Sequence, residues 1–156
     1  MLRIASCLAA LCLLGAASAH AAPDDAAGDK QIHDYVLTMD KVKAYEAADA
    51  NLQAAANSNA MLRNERWQMS REPDATPADL IAKFDRHPNI FIFYSKRGLS
   101  TADAALIPIA LMSACSAAQS PALAQGMAGT VSPQQIEFCK ANMSELQSMP
   151  ILSTGD

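Results

Sequence analysis

Cys115 and Cys139 are the residues whose chemistry the sequence constrains most. The other two cysteines, Cys7 and Cys12, lie in an N-terminal segment that we interpret below as a removable signal peptide. In an exported chain the two remaining thiols favour a structural disulfide, since no C-x-x-C pair indicates a redox function. Two separate buried thiols, or a reactive or metal-binding pair, are the alternatives. We therefore predict a Cys115–Cys139 bond that closes a loop of about 25 residues and stabilises the fold.

Motifs typical of catalysis or metal binding do not occur in the sequence. His33 and His87 form no H-x-x-x-H or H-E-x-x-H pair, which predicts surface or capping roles for them. There is no G-x-S-x-G, S-x-x-K, glycine-rich phosphate loop or C-x-x-C-H. Four methionines could suggest copper(I), but without M-x-x-M clustering we expect them to fill core and loops: Met112, Met127, Met143 and Met149. The sequence thus predicts no catalytic residue, no metal ligand and no cofactor.

The single tryptophan, Trp67, lies among three arginines, Arg63, Arg66 and Arg71. Aromatic and arginine side chains together are favoured at binding hot spots, so these four residues form a candidate partner-binding patch for a cell-envelope protein or a glycan. In the alternative that we favour, Trp67 covers the core and the arginines pair with two nearby glutamates, Glu65 and Glu72.

The first 21 residues have the three parts of a secretory signal peptide. Arg3 begins them, an apolar run follows, and small-x-small sites predict cleavage after Ala19 or Ala21. We expect no transmembrane segment elsewhere. The alternative is acylation at Cys7 through the lipobox-like sequence IASC. The segment before IASC is too short to form the apolar part of a signal, which disfavours this alternative. The chain is therefore predicted to be periplasmic or secreted.

Cleavage leaves about 135 of the 156 residues, enough for one domain with a hydrophobic core. The net charge of −4 becomes about −5, because Arg3 is the only charge removed. This mild acidity argues against nucleic acid as a partner. We expect a disordered acidic tail over residues 22–36, a single helical domain over 37–149 and a C-terminal tail over 150–156.

Apolar residues recur at helical spacing through most of the predicted domain. The sequence predicts an all-α fold, a compact bundle of four to five helices with consecutive helices mostly antiparallel. One central helix, TADAALIPIALMSACSAAQ, is apolar on nearly every side, and Pro108 predicts a kink or break near 104–106. The segment RNERWQMSREPDA is read as a frayed end or a connector, and SPALAQGMAGTVS as a loop.

Three helix beginnings share one arrangement of residues. Thr76, Ser100 and Ser132 each place a hydroxyl at an N-cap, with Asp or Gln three residues later. The stretch HPNIFIFYSKRGLS favours a strand by its composition, yet the proline at its start and Gly98–Leu99 at its end favour a helix, which is our prediction.

The order DYVLTMDKVKAY, RGLSTADAALIPIALM and VSPQQIEFCKAN resembles a group of exported, all-helical proteobacterial proteins of uncharacterised function. This resemblance implies export and a helical fold over most of the mature chain, and it assigns no catalytic or binding residue. The sequence as a whole predicts an exported binding or structural module of the cell envelope. The alternative is a cell-envelope enzyme or enzyme accessory without a recognisable catalytic motif.

Overall fold

The computed structural model describes residues 23–152, and side chains from residue 26 onward. The predicted signal peptide and residues 153–156 of the predicted C-terminal tail lie outside the described residues. The described chain is all-helical, as predicted, and has one hydrophobic core. Its helices are α1 (Pro23–His33), α2 (Met39–Ser58), α3 (Ala60–Met69), α4 (Pro77–Arg86), α5 (Pro88–Ser95), α6 (Thr101–Gln119), α7 (Pro121–Gly126) and α8 (Pro133–Leu146).

The structure has eight helices over residues 23–152, whereas the sequence predicts four to five. Two of the additional helices, α3 and α7, fall largely on segments read as a frayed end or connector and as a loop, and each begins at a cap. The Asn59 side chain accepts hydrogen bonds from the main-chain N–H groups of Met61 and Leu62, and so begins α3. Ser120 accepts one from Leu123, and Pro121 follows at the first position of α7. Short helices of this kind form because a cap satisfies the amides that a helix end leaves free.

The third additional helix, α1, occupies residues for which the sequence predicts a disordered tail. Ile32 is buried, and a Cβ at Gly28 would lie only 2.9 Å from Cδ of Pro77, so α1 packs closely on α4. The buried Gln135 side chain on α8 donates to the main-chain carbonyls of Ile32 and Tyr35, at 2.8 Å each. Contacts between residues far apart in sequence therefore order a segment whose own composition does not favour a helix.

All three predicted helix beginnings are confirmed. Thr76, Ser100 and Ser132 cap α4, α6 and α8, and each forms a reciprocal capping box with the residue three positions later. The predicted helix over the IFIFY stretch is also confirmed as α5. Gly98 ends this region with a φ of 78°, a left-handed conformation that a side chain disfavours. The Leu99 N–H then bonds to the Tyr94 carbonyl at 3.2 Å, and Leu99 is buried, as expected for this type of helix end.

Helix α6 lies at the centre of the fold and packs most extensively against α8 and α4. It runs unbroken past Pro108, so the predicted break does not occur. By length and composition α6 is also the one helix of residues 23–152 that could cross a membrane, where the sequence led us to expect none. Half of its most apolar stretch is buried inside the fold, as in the core helix of a globular protein.

The predicted disulfide is present in the structure, between Cys115 near the end of α6 and Cys139 in α8. The two Cα atoms are 5.2 Å apart, within the usual range for a disulfide. Both residues are buried, so the bond joins the two helices inside the core. Beyond the end of α8, the main-chain N–H of Ile151 donates to the Glu46 carboxylate on α2 at 2.7 Å, which holds part of the predicted C-terminal tail on the fold.

A polar network joins the beginning of α6 to the segment before α2. The Asp103 carboxylate accepts from the Tyr35 hydroxyl at 2.7 Å and from the N–H and hydroxyl of Ser100 at 3.0 and 2.7 Å. The Lys41 ammonium lies 2.8 Å from the same carboxylate. Burial raises the pKa of Asp103, but the bonds from Lys41, Tyr35 and Ser100 outweigh it and hold that pKa well below its usual value.

We expect Asp103→Asn to lower the free energy of unfolding at pH 7 by about 2 kcal/mol, because the ionised carboxylate makes several charge-assisted bonds. A carboxyl group whose pKa is lower in the folded state stabilises the fold above its unfolded pKa. The difference between wild type and variant should therefore be constant from pH 5 to 8 and shrink as the pH falls below about 4. Urea unfolding across this range measures it, with the exposed Asp85→Asn as control. An equal loss in both variants would contradict the prediction.

Candidate functional site: a cavity among five helices

A cavity of about 310 Å³ opens where α2, α3, α4, α5 and α6 meet. Its size lies at the lower end of the range found for small-molecule sites, and its walls are mostly apolar with a few polar groups, as such sites usually are. The apolar part of the wall comes from all five helices: Leu52, Met69, Leu80, Phe84, Ile90, Ala104, Ala105, Pro108 and Ile109. The polar residues that line it are Tyr45, Asp49, Arg66, Ser70, Lys83 and Tyr94.

Pro108 shapes the α6 wall of the cavity. Proline has no N–H, so the carbonyl of Ala104 cannot receive the hydrogen bond that residue 108 would give in an ordinary helix. Ala104, Ala105 and Pro108 all line the cavity, and their small side chains leave room beside the helix backbone. The proline and the alanines of α6 thus leave space unfilled on this side of the cavity.

Three aromatic rings form one side of the cavity. The Phe84 and Tyr94 rings meet edge to face with centroids 5.2 Å apart, and the Tyr45 ring lies 5.4 Å from that of Tyr94. The Tyr94 hydroxyl donates to the Asp49 carboxylate at 3.2 Å. These contacts hold the rings in place and leave flat aromatic surface on the cavity wall.

Both tyrosines of the cavity stay protonated at neutral pH. Burial raises the pKa of Tyr45 to about 12, and the nearby Asp49 carboxylate adds to this effect. Burial also raises the pKa of Tyr94 well above its usual value, reinforced by Tyr45 and Asp49. A phenol in this state can donate a hydrogen bond and is a poor nucleophile or base.

Two cationic side chains border the same cavity. Lys83 on α4 is only 4% exposed, and its Nζ atom donates to Oδ2 of Asp74 at 3.1 Å. The Asp74 side chain is 63% exposed, so the partner of this buried ammonium is itself largely in water. Arg66 on α3 donates through Nη1 to the amide oxygen of Gln53. Spacing in the sequence gave no indication that Lys83 would be buried, because burial depends on helices that are distant along the chain.

A second space, of about 620 Å³, lies between the α1–α2 connection and the start of α8. It is larger than the cavity and is bounded by residues 33–37 and 132–138, several of them exposed. Its buried amide, Gln135, already bonds to Ile32, Tyr35 and the N–H of Ser132. We favour the smaller cavity as the candidate site because its polar groups come from more elements and are less fully used by the fold.

The predicted patch around Trp67 is only partly brought together. Trp67 is 54% exposed, and the Arg71 guanidinium lies over its ring at 4.2 Å from the centroid. Arg63 donates to the main-chain carbonyls of Ala56 and Asn57 at 3.1 and 3.3 Å and thus ties α3 to the end of α2. Arg66 lines the cavity instead. The favoured alternative, in which Trp67 covers the core, is wrong, and the binding role of the patch stays a prediction.

The glutamates expected to pair with those arginines contact other residues. Glu72 binds Arg86 at 2.5 Å and Nε2 of His87 at 2.6 Å. Glu65 lies 3.5 Å from Nδ1 of His87 and accepts from Asn89 at 3.1 Å. His87 is therefore a buried link between α3 and the α4–α5 junction, and the surface role that the sequence suggested is wrong. It does occupy a cap position, at the end of α4 and the beginning of α5, although its side chain makes no capping hydrogen bond. In residues 23–152, no group of three or more His, Cys, Asp or Glu side chains is placed to hold a metal ion.

Comparison with known proteins gives no family to which the site could be compared. No protein-family model, no curated protein and no solved structure matches this chain. Any functional conclusion therefore rests on the chemistry of the residues themselves.

Proposed function

We propose that this chain is an exported helical binding module of the cell envelope, whose cavity holds a small and mostly apolar molecule. The observation that carries the proposal is the cavity itself, with walls from five helices and a few polar groups among apolar ones. A site with these features binds by excluding water from apolar surface and uses its polar groups to orient the ligand. The Cys115–Cys139 bond keeps α6 and α8 together while α6 contributes one wall.

The direction of the pKa shifts of the two cavity tyrosines favours binding over catalysis. A titratable residue in a cleft is a mark of an enzyme when its pKa moves toward the working pH. The pKa values of Tyr45 and Tyr94 move away from neutrality, because burial and Asp49 both disfavour the phenolate. These side chains are suited to donate hydrogen bonds to a bound molecule.

We expect the neutral fluorophore N-phenyl-1-naphthylamine to bind saturably in the cavity of the wild-type chain, with an increase in its emission. Ala105→Leu should weaken this binding by roughly tenfold or more, because the added carbons occupy space that the probe needs. Fluorescence titration measures both affinities. Ala122→Leu, at an exposed position of α7, is the matched control and should bind as wild type does. Thermal unfolding of each variant checks that it is folded. Equal affinity of Ala105→Leu and wild type would place the probe elsewhere and contradict the proposal.

Export is proposed on two observations, the signal-like first 21 residues and the disulfide, a bond that persists mainly in oxidising compartments. We expect the protein from its native host to begin at His20 or Ala22. It should take up two alkyl groups only after reduction. Intact mass measurement with and without reduction tests both statements. A chain that begins at an acylated Cys7, or thiols that react without reduction, would contradict them.

A further inference from the structure

We infer that the molecule held in the cavity is an anionic amphipath, with an apolar chain or ring and a single acidic group such as a carboxylate. This inference rests on the proposed function and adds the chemical class of the ligand. It is carried by the placement of Lys83 and Arg66 at the cavity and by the way in which their charges are balanced.

Lys83 supplies the first cation. Burial of an ammonium group is costly unless a partner of opposite charge is held beside it. The partner in the structure, Asp74, is 63% exposed and comes from the irregular segment between α3 and α4. Water therefore weakens this ion pair, and an ammonium on the cavity wall is left with donors that a second acceptor could use.

Arg66 supplies the second cation. Its guanidinium has five N–H donors, and the structure assigns one nitrogen to the side chain of Gln53. Its charge acts on the cavity, because it lowers the pKa of Tyr45 even though burial and Asp49 raise that pKa more strongly. Lys83 and Arg66 thus face one space from α4 and α3, and arginine and lysine together are well suited to hold a carboxylate.

Asp49 is the single acidic residue among those that line the cavity, and it has a donor already. Its carboxylate accepts a hydrogen bond from the hydroxyl of Tyr94, one of the three rings of the aromatic wall, at 3.2 Å. The lining residues therefore carry two positive charges and one negative charge. Asp74, which binds Lys83 from outside the lining, is largely in water, so its charge is screened and the cavity still favours an anion over a neutral or cationic head group. The aromatic and aliphatic walls accept the apolar part of the same ligand.

Three ligands with the same eight-carbon chain test this inference: octanoate, octanol and octylammonium. The affinity of each ligand for the wild-type chain is measured by its displacement of bound N-phenyl-1-naphthylamine, in a competition titration at pH 7 and low salt. We expect octanoate to bind roughly tenfold or more tightly than octanol, since charge-assisted hydrogen bonds form only with the carboxylate. Octylammonium should bind more weakly than octanol, because Lys83 and Arg66 repel it.

Lys83→Met should reduce octanoate affinity to about that of octanol and leave octanol affinity within about twofold of wild type, because it keeps the apolar length of the side chain and removes its charge. The exposed Lys96→Met is the control and should change neither affinity. Should Lys83→Met fail to fold, Arg66→Gln, at a partly exposed position, gives the same test.

The outcomes separate the two proposals. Equal binding of octanoate and octanol overturns the anionic class and leaves the proposed function in place. Tighter binding of octylammonium also overturns it, and assigns the head group to Asp49 and the aromatic rings. No binding of the fluorophore or of any of the three ligands overturns the proposed function itself.

Discussion

Loss of the Cys115–Cys139 bond lowers the free energy of unfolding by about 3 kcal/mol. The bond joins residues 24 positions apart, and closing a loop of this length removes conformational freedom mainly from the unfolded chain. Both sulfur atoms are buried between α6 and α8, so the reduced protein also has two thiols within a core that was packed around a covalent link. Urea unfolding with and without dithiothreitol gives the difference, as a lower midpoint in the reduced protein.

The double variant Cys115→Ala/Cys139→Ala separates the disulfide from other effects of the reductant. It should be destabilised to a similar extent as the reduced wild type, with a small additional loss from the missing sulfur atoms. Dithiothreitol should not change its stability, because it has no bond to reduce. Unchanged stability of the wild type under dithiothreitol, with both thiols shown by alkylation to be free, would contradict the prediction.

Leu111→Ala destabilises the fold by about 3 to 4 kcal/mol. Leu111 is completely buried near the middle of α6, the helix that packs against both α4 and α8. Truncation removes three carbons from the core and leaves a cavity that the surrounding helices fill only in part. The urea midpoint should fall without a change in the slope of the transition.

Met112→Ala is the matched control for this prediction. It shortens the next side chain of the same helix at a position that is 53% exposed, so it changes helix propensity slightly and removes little from the core. We expect a change of about 0.5 kcal/mol or less. Similar losses at positions 111 and 112 would mean that Leu111 does not lie on the buried face of α6.

Local chemistry explains which parts of the fold the sequence could predict. The capping boxes at Thr76, Ser100 and Ser132 depend on residues three positions apart, so they can be recognised without knowledge of the rest of the structure. The left-handed end at Gly98 is also local. The disulfide followed from the small number of cysteines and the expected compartment, and not from any contact visible in the sequence.

Contacts between distant segments explain what the sequence could not predict. Helix α1 has little propensity of its own and is ordered by Gln135, about one hundred residues away, and by the close approach of Gly28 to Pro77. The cavity likewise needs five helices to be placed around it. Lys83 reads in the sequence as one more charge on an amphipathic helix, and its burial emerges only when α1, α5 and α6 pack against α4.

Helix α6 has two halves with different neighbours. Its first half, as far as Ile109, lines the cavity, whereas Cys115 is bonded to α8 about 9 Å farther along the helix axis. Substitutions on the α3 and α4 walls could change the size or charge of the cavity without disturbing the bonded half. Sequence drift in such a chain can alter the size and charge of the cavity while the covalently fixed end of α6 preserves the fold.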